Sequence, residues 1–277
     1  MPDNKNHHYV PRFYLKNFSN HGGRTINLFN IKRRISVRNA RLRQQCCEAY
    51  FYGKTPEIEK IFEDLENTVS RTISNILSTF TVPPRHSKEY AELLIYLIVQ
   101  HQRTKTAAEE CDEVSDQMCK IMLRKDPELD AETLAYLNHV KIVTTNPTAM
   151  PMLIAVRIFP LALDLEAKVI SNRSNEPFIT SDNPVVFYNQ YMENFQGASC
   201  TGLASLGLQL FLPLSSKIML HFYDPSVYRI RINDSNVCEI SNDAESLKFN
   251  ELQWFNAREN VYYSSQSTPI SISCNDS

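Results

Sequence analysis

Five short stretches of this chain carry residues suited to hydrolytic chemistry. Asp182 lies in the run Thr180-Ser181-Asp182-Asn183-Pro184, between the apolar segments 177–179 and 185–187. A polar turn held between two strands of this kind fixes three short hydrogen-bonding side chains rigidly. His8 follows His7 near the start of the chain, and Glu59 and Glu66 are seven residues apart. Gln100 and Arg103 come directly after seven consecutive apolar residues, 93–99. Neutral histidine and carboxylates are ligands for a divalent ion, which lowers the pKa of bound water and stabilises charge on a phosphoryl oxygen. Asp182, with Glu59 or Glu66 and His8, forms a candidate set for Mg2+ or Mn2+. Gln100, Arg103, Asp182 and Asn183 form the catalytic set, with Arg103 facing phosphate.

A sixth stretch supplies charge. Between Asp3 and Glu48 there is no acidic residue, while Lys32, Arg33, Arg34, Arg38, Arg41 and Arg43 are all basic. Such a segment can hold the backbone of a nucleic acid through its phosphates. It can equally dock on the chain's own acidic stretch, which runs from Glu109 to Glu132. Set against the hydrolase reading, the ligand spacing matches no recognised metal motif, and there is no phosphate-binding glycine loop or nucleophile elbow. The leading expectation is a metal-dependent phosphodiester hydrolase of nuclease type. The alternatives are a small-ligand-binding or sensor protein using Asp182, Asn183, Gln100 and Arg103 as a polar pocket, and a polar cluster that serves the fold alone.

The elements that must position these residues are legible from periodicity. Ile58, Ile61, Phe62, Leu65, Val69, Ile73 and Ile76 recur at helical spacing and predict an amphipathic helix over 56–77, with Glu59 and Glu66 at the edge of its apolar stripe and Glu63 turned further toward water. Ser87 is a suitable N-cap for a central helix through 91–99, apolar on every face. Further helices are expected over 107–125 and 128–140, the second with Asp126 as N-cap and Pro127 at its first position. Two strands, 25–30 and 35–39, flank the Lys32-Arg33-Arg34 turn. Beyond Leu165 the pattern changes to short β-type runs at 167–172, 177–180, 185–188, 206–212, 218–223 and 228–232. Ser241 or Asn242 caps a last helix through Trp254, and 261–272 can add an edge strand. The expectation is a single α+β domain over 1–277, with a helix-rich half (1–164) packed on a mostly antiparallel sheet in the other half (165–277).

Composition sets the remaining bounds. At 277 residues with 43% hydrophobic and 22% charged residues, the chain can bury a sizeable core. Its seven cysteines are an odd number without C-x-x-C spacing, which excludes a complete disulfide framework and fits a reducing cytoplasm. The first residues lack the apolar core of a signal peptide, and Arg157 and Pro160 interrupt the longest apolar region, 150–165, so no membrane insertion is expected.

Taken together and in order, His8-Tyr9-Val10-Pro11 with Tyr14-Leu15 and Phe18, the Glu59/Glu66 helix, Gln100-x-x-Arg103-Thr104, Thr180-Ser181-Asp182-Asn183-Pro184-Val185 and Pro213-Leu214-Ser215 resemble the bacterial family called domain of unknown function 4238. The similarity runs from His7 to about Tyr263, which supports one domain. It implies no activity, but it implies that the residues singled out above by their chemistry meet at one site.

Overall fold

The computed structural model describes residues 6–53, 57–195, 200–230 and 237–264. The chain opens with a short strand, β1 (Asn6–His8), a single helical turn, α1 (Arg12–Leu15), and the hairpin β2 (Thr25–Asn30) and β3 (Ile35–Arg41). Strand β4 (Cys47–Ala49) then pairs antiparallel with β1, placing His8 opposite Cys47. The longest helix, α2 (Glu57–Thr79), buries Phe62, Val69, Ile73 and Ile76, the stripe read from the sequence. Helix α3 (Lys88–Gln102) starts where Ser87 Oγ accepts the Tyr90 amide, and eight of its residues are buried, so it runs through the core. The chain turns sharply at Arg103 and Thr104. Thr104 Oγ1 accepts the Ala107 amide and caps α4 (Lys105–Leu123).

The expected helix over 128–140 is shorter and starts later. It is α5 (Ala131–Tyr136), capped by Asp130, whose carboxylate accepts the Thr133 amide, while Asp126 only closes the turn at Glu128. The apolar region 150–165 forms α6 (Ala149–Ile158) followed by one tighter helical turn at Phe159–Ala162, where Pro160 fits because an opening turn lacks the donor requirement. The second half contributes β5 (Glu166–Asn172), the two-residue β6 (Thr180–Ser181), β7 (Val186–Tyr188), β8 (Gln209–Ser215), β9 (Ile218–Tyr223) and β10 (Val237–Ile240). Asn242 caps α7 (Asp243–Asn256), and β11 (Asn260–Tyr263) closes the described chain. Residues 228–230 form no strand, and the remainder of the strand expected to 232 and of the one expected to 272 lies outside the described residues.

The strands form three sheets. One has five strands in the order β10-β5-β9-β8-β7, antiparallel except for the β10/β5 pair, and one has four in the order β3-β2-β11-β6; β1 and β4 make the third. The four-stranded sheet corrects the expected division of the chain. Its strands come from both ends, with Leu28 of β2 opposite Tyr262 of β11, so the N-terminal hairpin completes a sheet that the C-terminal segment begins. The fold is α+β, but helices and strands do not separate at residue 165. A single buried cluster draws on Tyr9, Ile26, Leu97, Leu212 and Tyr262 alike. Among the described residues, no helix is long and apolar enough to cross a membrane.

Candidate functional site: a cleft between the N-terminal arm and helix α2

Arg103 organises the site. At the α3–α4 corner its guanidinium is 3% exposed, and each of its three nitrogens donates a hydrogen bond. Nε donates to Tyr52 Oη at 2.9 Å, Nη1 to Glu66 Oε1 at 2.7 Å and Nη2 to the His8 carbonyl at 2.9 Å. Its charge also lies over the rings of Tyr52 and Phe62, 5.4 and 5.0 Å from their centroids. Tyr52 Oη in turn donates to the same His8 carbonyl at 3.0 Å, and Gln100 Nε2 donates to the Tyr9 carbonyl at 2.9 Å. The abrupt polarity after the buried run of α3 is therefore a helix corner that ties down the arm carrying His8. Arg103 gives three of its five N–H donors to this tether.

Beside the tether opens a cleft of about 620 Å3, lined by His8, Arg12, Phe13, Glu63, Glu66 and Arg103 among others. His8 is ready to act there as a base. Its Nδ1 lies 3.2 Å from the Gln45 carbonyl, which can only accept, so the proton sits on Nδ1 and Nε2 keeps its lone pair. Burial, with Arg12 and Arg103 nearby, lowers its pKa despite the opposing Gln45 bond, so His8 is neutral at pH 7. His7, by contrast, is buried, accepts the Tyr52 amide and stacks on the Tyr52 ring. Glu63 and Glu66, one helical turn apart on α2, both reach the cleft. Glu63 is exposed, as the sequence expectation had it, and it also borders this cleft. The α2 backbone carries Glu59 one turn before Glu63, but its side chain lies outside the described residues.

Asp182 and Asn183 do not join this cleft. Asp182 is 3% exposed, and its two oxygens accept three backbone amides, those of Arg258 at 2.8 Å, Glu259 at 2.9 Å and Asn260 at 3.0 Å. Burial raises its pKa and the three amides oppose that shift. The Asn183 amide donates to Thr106 Oγ1 and to the Asn256 carbonyl, and Ser181 Oγ donates to Gln253 Oε1. The polar turn thus locks β6 to α4, to the end of α7 and to the start of β11. His8, Glu66 and Arg103 converge, with Gln100 fastening the same arm, whereas Asp182 and Asn183 fasten a separate junction. Among the described residues, no three His, Cys, Asp or Glu side chains are grouped so as to hold a metal ion.

The basic segment divides in two. At the hairpin tip Lys32 pairs with Glu259 at 3.5 Å, a partial docking on the chain itself, while Arg33 and Arg38 stay exposed. At the hairpin base Thr25 of β2 sits opposite Arg41 of β3, which brings Arg24 beside Arg41. Leu42, 1% exposed, pins the next turn into the core, so Arg43 stays at the rim. Arg24, Arg41 and Arg43 line a concavity of about 280 Å3, and its fourth arginine is Arg12. Arg12 also lines the His8 cleft, so it joins the two. Among the described residues none of these four arginines has a carboxylate partner.

Together the fold and the cleft define an α+β protein with a histidine- and carboxylate-lined cleft reached from an arginine-lined surface. The chain belongs to the family described as protein of unknown function (DUF4238), whose family model matches residues 6–267. No curated protein and no solved structure matches it.

Proposed function

We propose that this protein binds a phosphodiester polyanion, a nucleic acid, along Arg24, Arg41, Arg43 and Arg12 and hydrolyses it in the His8 cleft. The observation that carries the reading is the position of Arg12 in the walls of both concavities. Arg12 is common to the arginine surface and the cleft, so a strand laid on the one reaches the other, and each phosphate placed on an arginine releases counterions. In the cleft, His8 Nε2 takes the proton of the attacking water as its oxygen bonds to phosphorus and the P–O bond to the leaving sugar oxygen breaks, that oxygen taking a proton from solvent or from the protonated His8. Arg12 neutralises charge on the phosphoryl oxygens, and Glu63 orients the nucleophile. Arg103 is a positioning residue, because it fixes the His8 backbone and the Glu66 carboxylate at the wall of the cleft. A divalent Mg2+ or Mn2+ ion would supply water activation and charge stabilisation in this reading.

Incubation with labelled RNA, single-stranded DNA and duplex DNA, each with Mg2+ or Mn2+ and with chelator, tests it. Cleavage of one substrate supports the reading, and its loss with chelator assigns the metal. Absence of both cleavage and salt-sensitive binding on all three substrates sinks it.

A further inference from the structure

A second pocket lies on the opposite kind of chemistry. Between the β8–β9 face and α7 is a space of about 780 Å3, within the size range of small-molecule sites. Its walls are aromatic: Phe211, Phe249, Tyr188 and Phe255, the last 82% exposed at the mouth. In the β8–β9 register Phe211 sits opposite His221 and Gln209 opposite Tyr223, so Gln209 and His221 are diagonal neighbours on one face. Both are buried, at 6% and 5% exposure. Their side chains meet at 3.2 Å, Gln209 Nε2 to His221 Nε2. An amide nitrogen donates, so His221 Nε2 accepts and the ring proton sits on Nδ1. Burial lowers the pKa of His221 to about 3, which keeps the ring neutral.

This pair is incomplete. Among the described residues, Gln209 Oε1 is one of four buried side-chain polar atoms without a hydrogen-bond partner, and it belongs to a residue in the wall of this pocket. An unsatisfied buried acceptor is costly to keep, and a bound molecule that donates to it removes the cost. Stacking of the His221 ring on Phe211, 4.3 Å between centroids and 15° between planes, fixes both groups in one orientation. The surroundings are uncharged at depth, and Lys248, Glu245 and Glu251 are exposed at the rim.

We propose that this pocket binds a neutral planar heteroaromatic molecule whose edge carries a donor for Gln209 Oε1, as the edge of a nucleobase does. The aromatic walls supply the stacking surface and the Gln209–His221 pair supplies the selection. The site is independent of the arginine surface and of the proposed hydrolysis.

Adenosine and uridine are the probes, with toluene as an apolar control, read by calorimetry and by the ring nitrogen resonances of His221. One nucleoside is expected to bind saturably, to shift the His221 signals and to bind better than toluene. Gln209→Met keeps the length of the side chain and removes the acceptor, so it weakens nucleoside binding roughly tenfold or more. The substitution also takes the donor from His221 Nε2, so its binding is compared with that of wild type at a temperature where thermal melts show both proteins folded. Phe255→Ser, at an exposed position, weakens the same binding without touching the fold. The proposal is overturned if neither nucleoside binds saturably up to about 5 mM, if the His221 signals do not move, or if folded Gln209→Met or Phe255→Ser binds as wild type does.

Discussion

The Arg103–Glu66 pair gives the sharpest test of how the cleft is built. Arg103 is 3% exposed and Glu66 25% exposed, with 2.7 Å between Nη1 and Oε1. Breaking a fully buried pair from one side costs about 3–5 kcal/mol. Because Glu66 borders the cleft, water can partly replace it, and Glu66→Ala should cost about 2–3 kcal/mol. For a chain of this size that is a fall in melting temperature of roughly 4–12 °C. Arg103→Met should cost at least as much, since it also removes the bonds to Tyr52 and to the His8 carbonyl. Once Arg103 is gone, Glu66 has no buried cation to neutralise. The double variant should therefore be about as stable as Arg103→Met alone, a coupling of about 2 kcal/mol. Thermal and urea melts of the four proteins complete the cycle. If the double variant instead loses the sum of the two single losses, the pair does not act as a unit and the tether described above is wrong.

Four further outcomes are expected. With four arginines on phosphate, the salt slope for single-stranded nucleic acid should be about −3, and Arg24→Ala/Arg41→Ala/Arg43→Ala should flatten it to about −1, by fluorescence anisotropy across a salt series. Lys32→Ala should change the slope less, because Lys32 is paired with Glu259. Asp182→Asn should lower stability by roughly 2–4 kcal/mol by leaving backbone amides facing an amino group, while binding and cleavage by the folded protein persist; loss of cleavage with full stability would return Asp182 to the site. On acidification His221, whose pKa falls to about 3 on folding, stays neutral in the folded state while the unfolded chain takes up a proton below its ordinary value of 6.5. Its contribution is thus full above pH 6.5 and is lost toward pH 3, by about 1.4 kcal/mol per pH unit, so His221→Phe should flatten the stability–pH curve in that window.

Local signals in the sequence proved readable where their cause is local. The Ile58-to-Ile76 stripe, the Ser87 and Asn242 caps and the hairpin around Lys32 each rest on contacts within a few residues, and each element appears within a few residues of its expected place. His8, Glu66, Gln100 and Arg103 were also rightly brought together, because a polar group following a buried helix needs partners and the N-terminal arm supplies them. Asp182 was misjudged for the opposite reason. Nothing near it in sequence indicates that the amides of residues 258–260, more than seventy positions away, will fill its oxygens. Arg12 and Glu63, which line the cleft, were not singled out from the sequence. The signal for Glu63 was present in its spacing, three residues before Glu66 on the same helix; for Arg12, only the fold shows that a residue of α1 faces the base of the hairpin. Gln209 and His221 are neighbours through strand register alone, which the apolar runs of β8 and β9 do not encode.

The central claim is that chemistry on a phosphodiester takes place in the His8 cleft, and the most direct measurement compares cleavage of one labelled oligonucleotide by wild type, Glu63→Gln, Arg12→Met and His8→Gln. Glu63 and Arg12 are exposed, so their variants should melt as wild type does. The account predicts that wild type cleaves, that all three variants lose most of the rate, and that Arg12→Met also binds more weakly. Cleavage by wild type that continues unchanged in folded Glu63→Gln and Arg12→Met would place the chemistry elsewhere and contradict it.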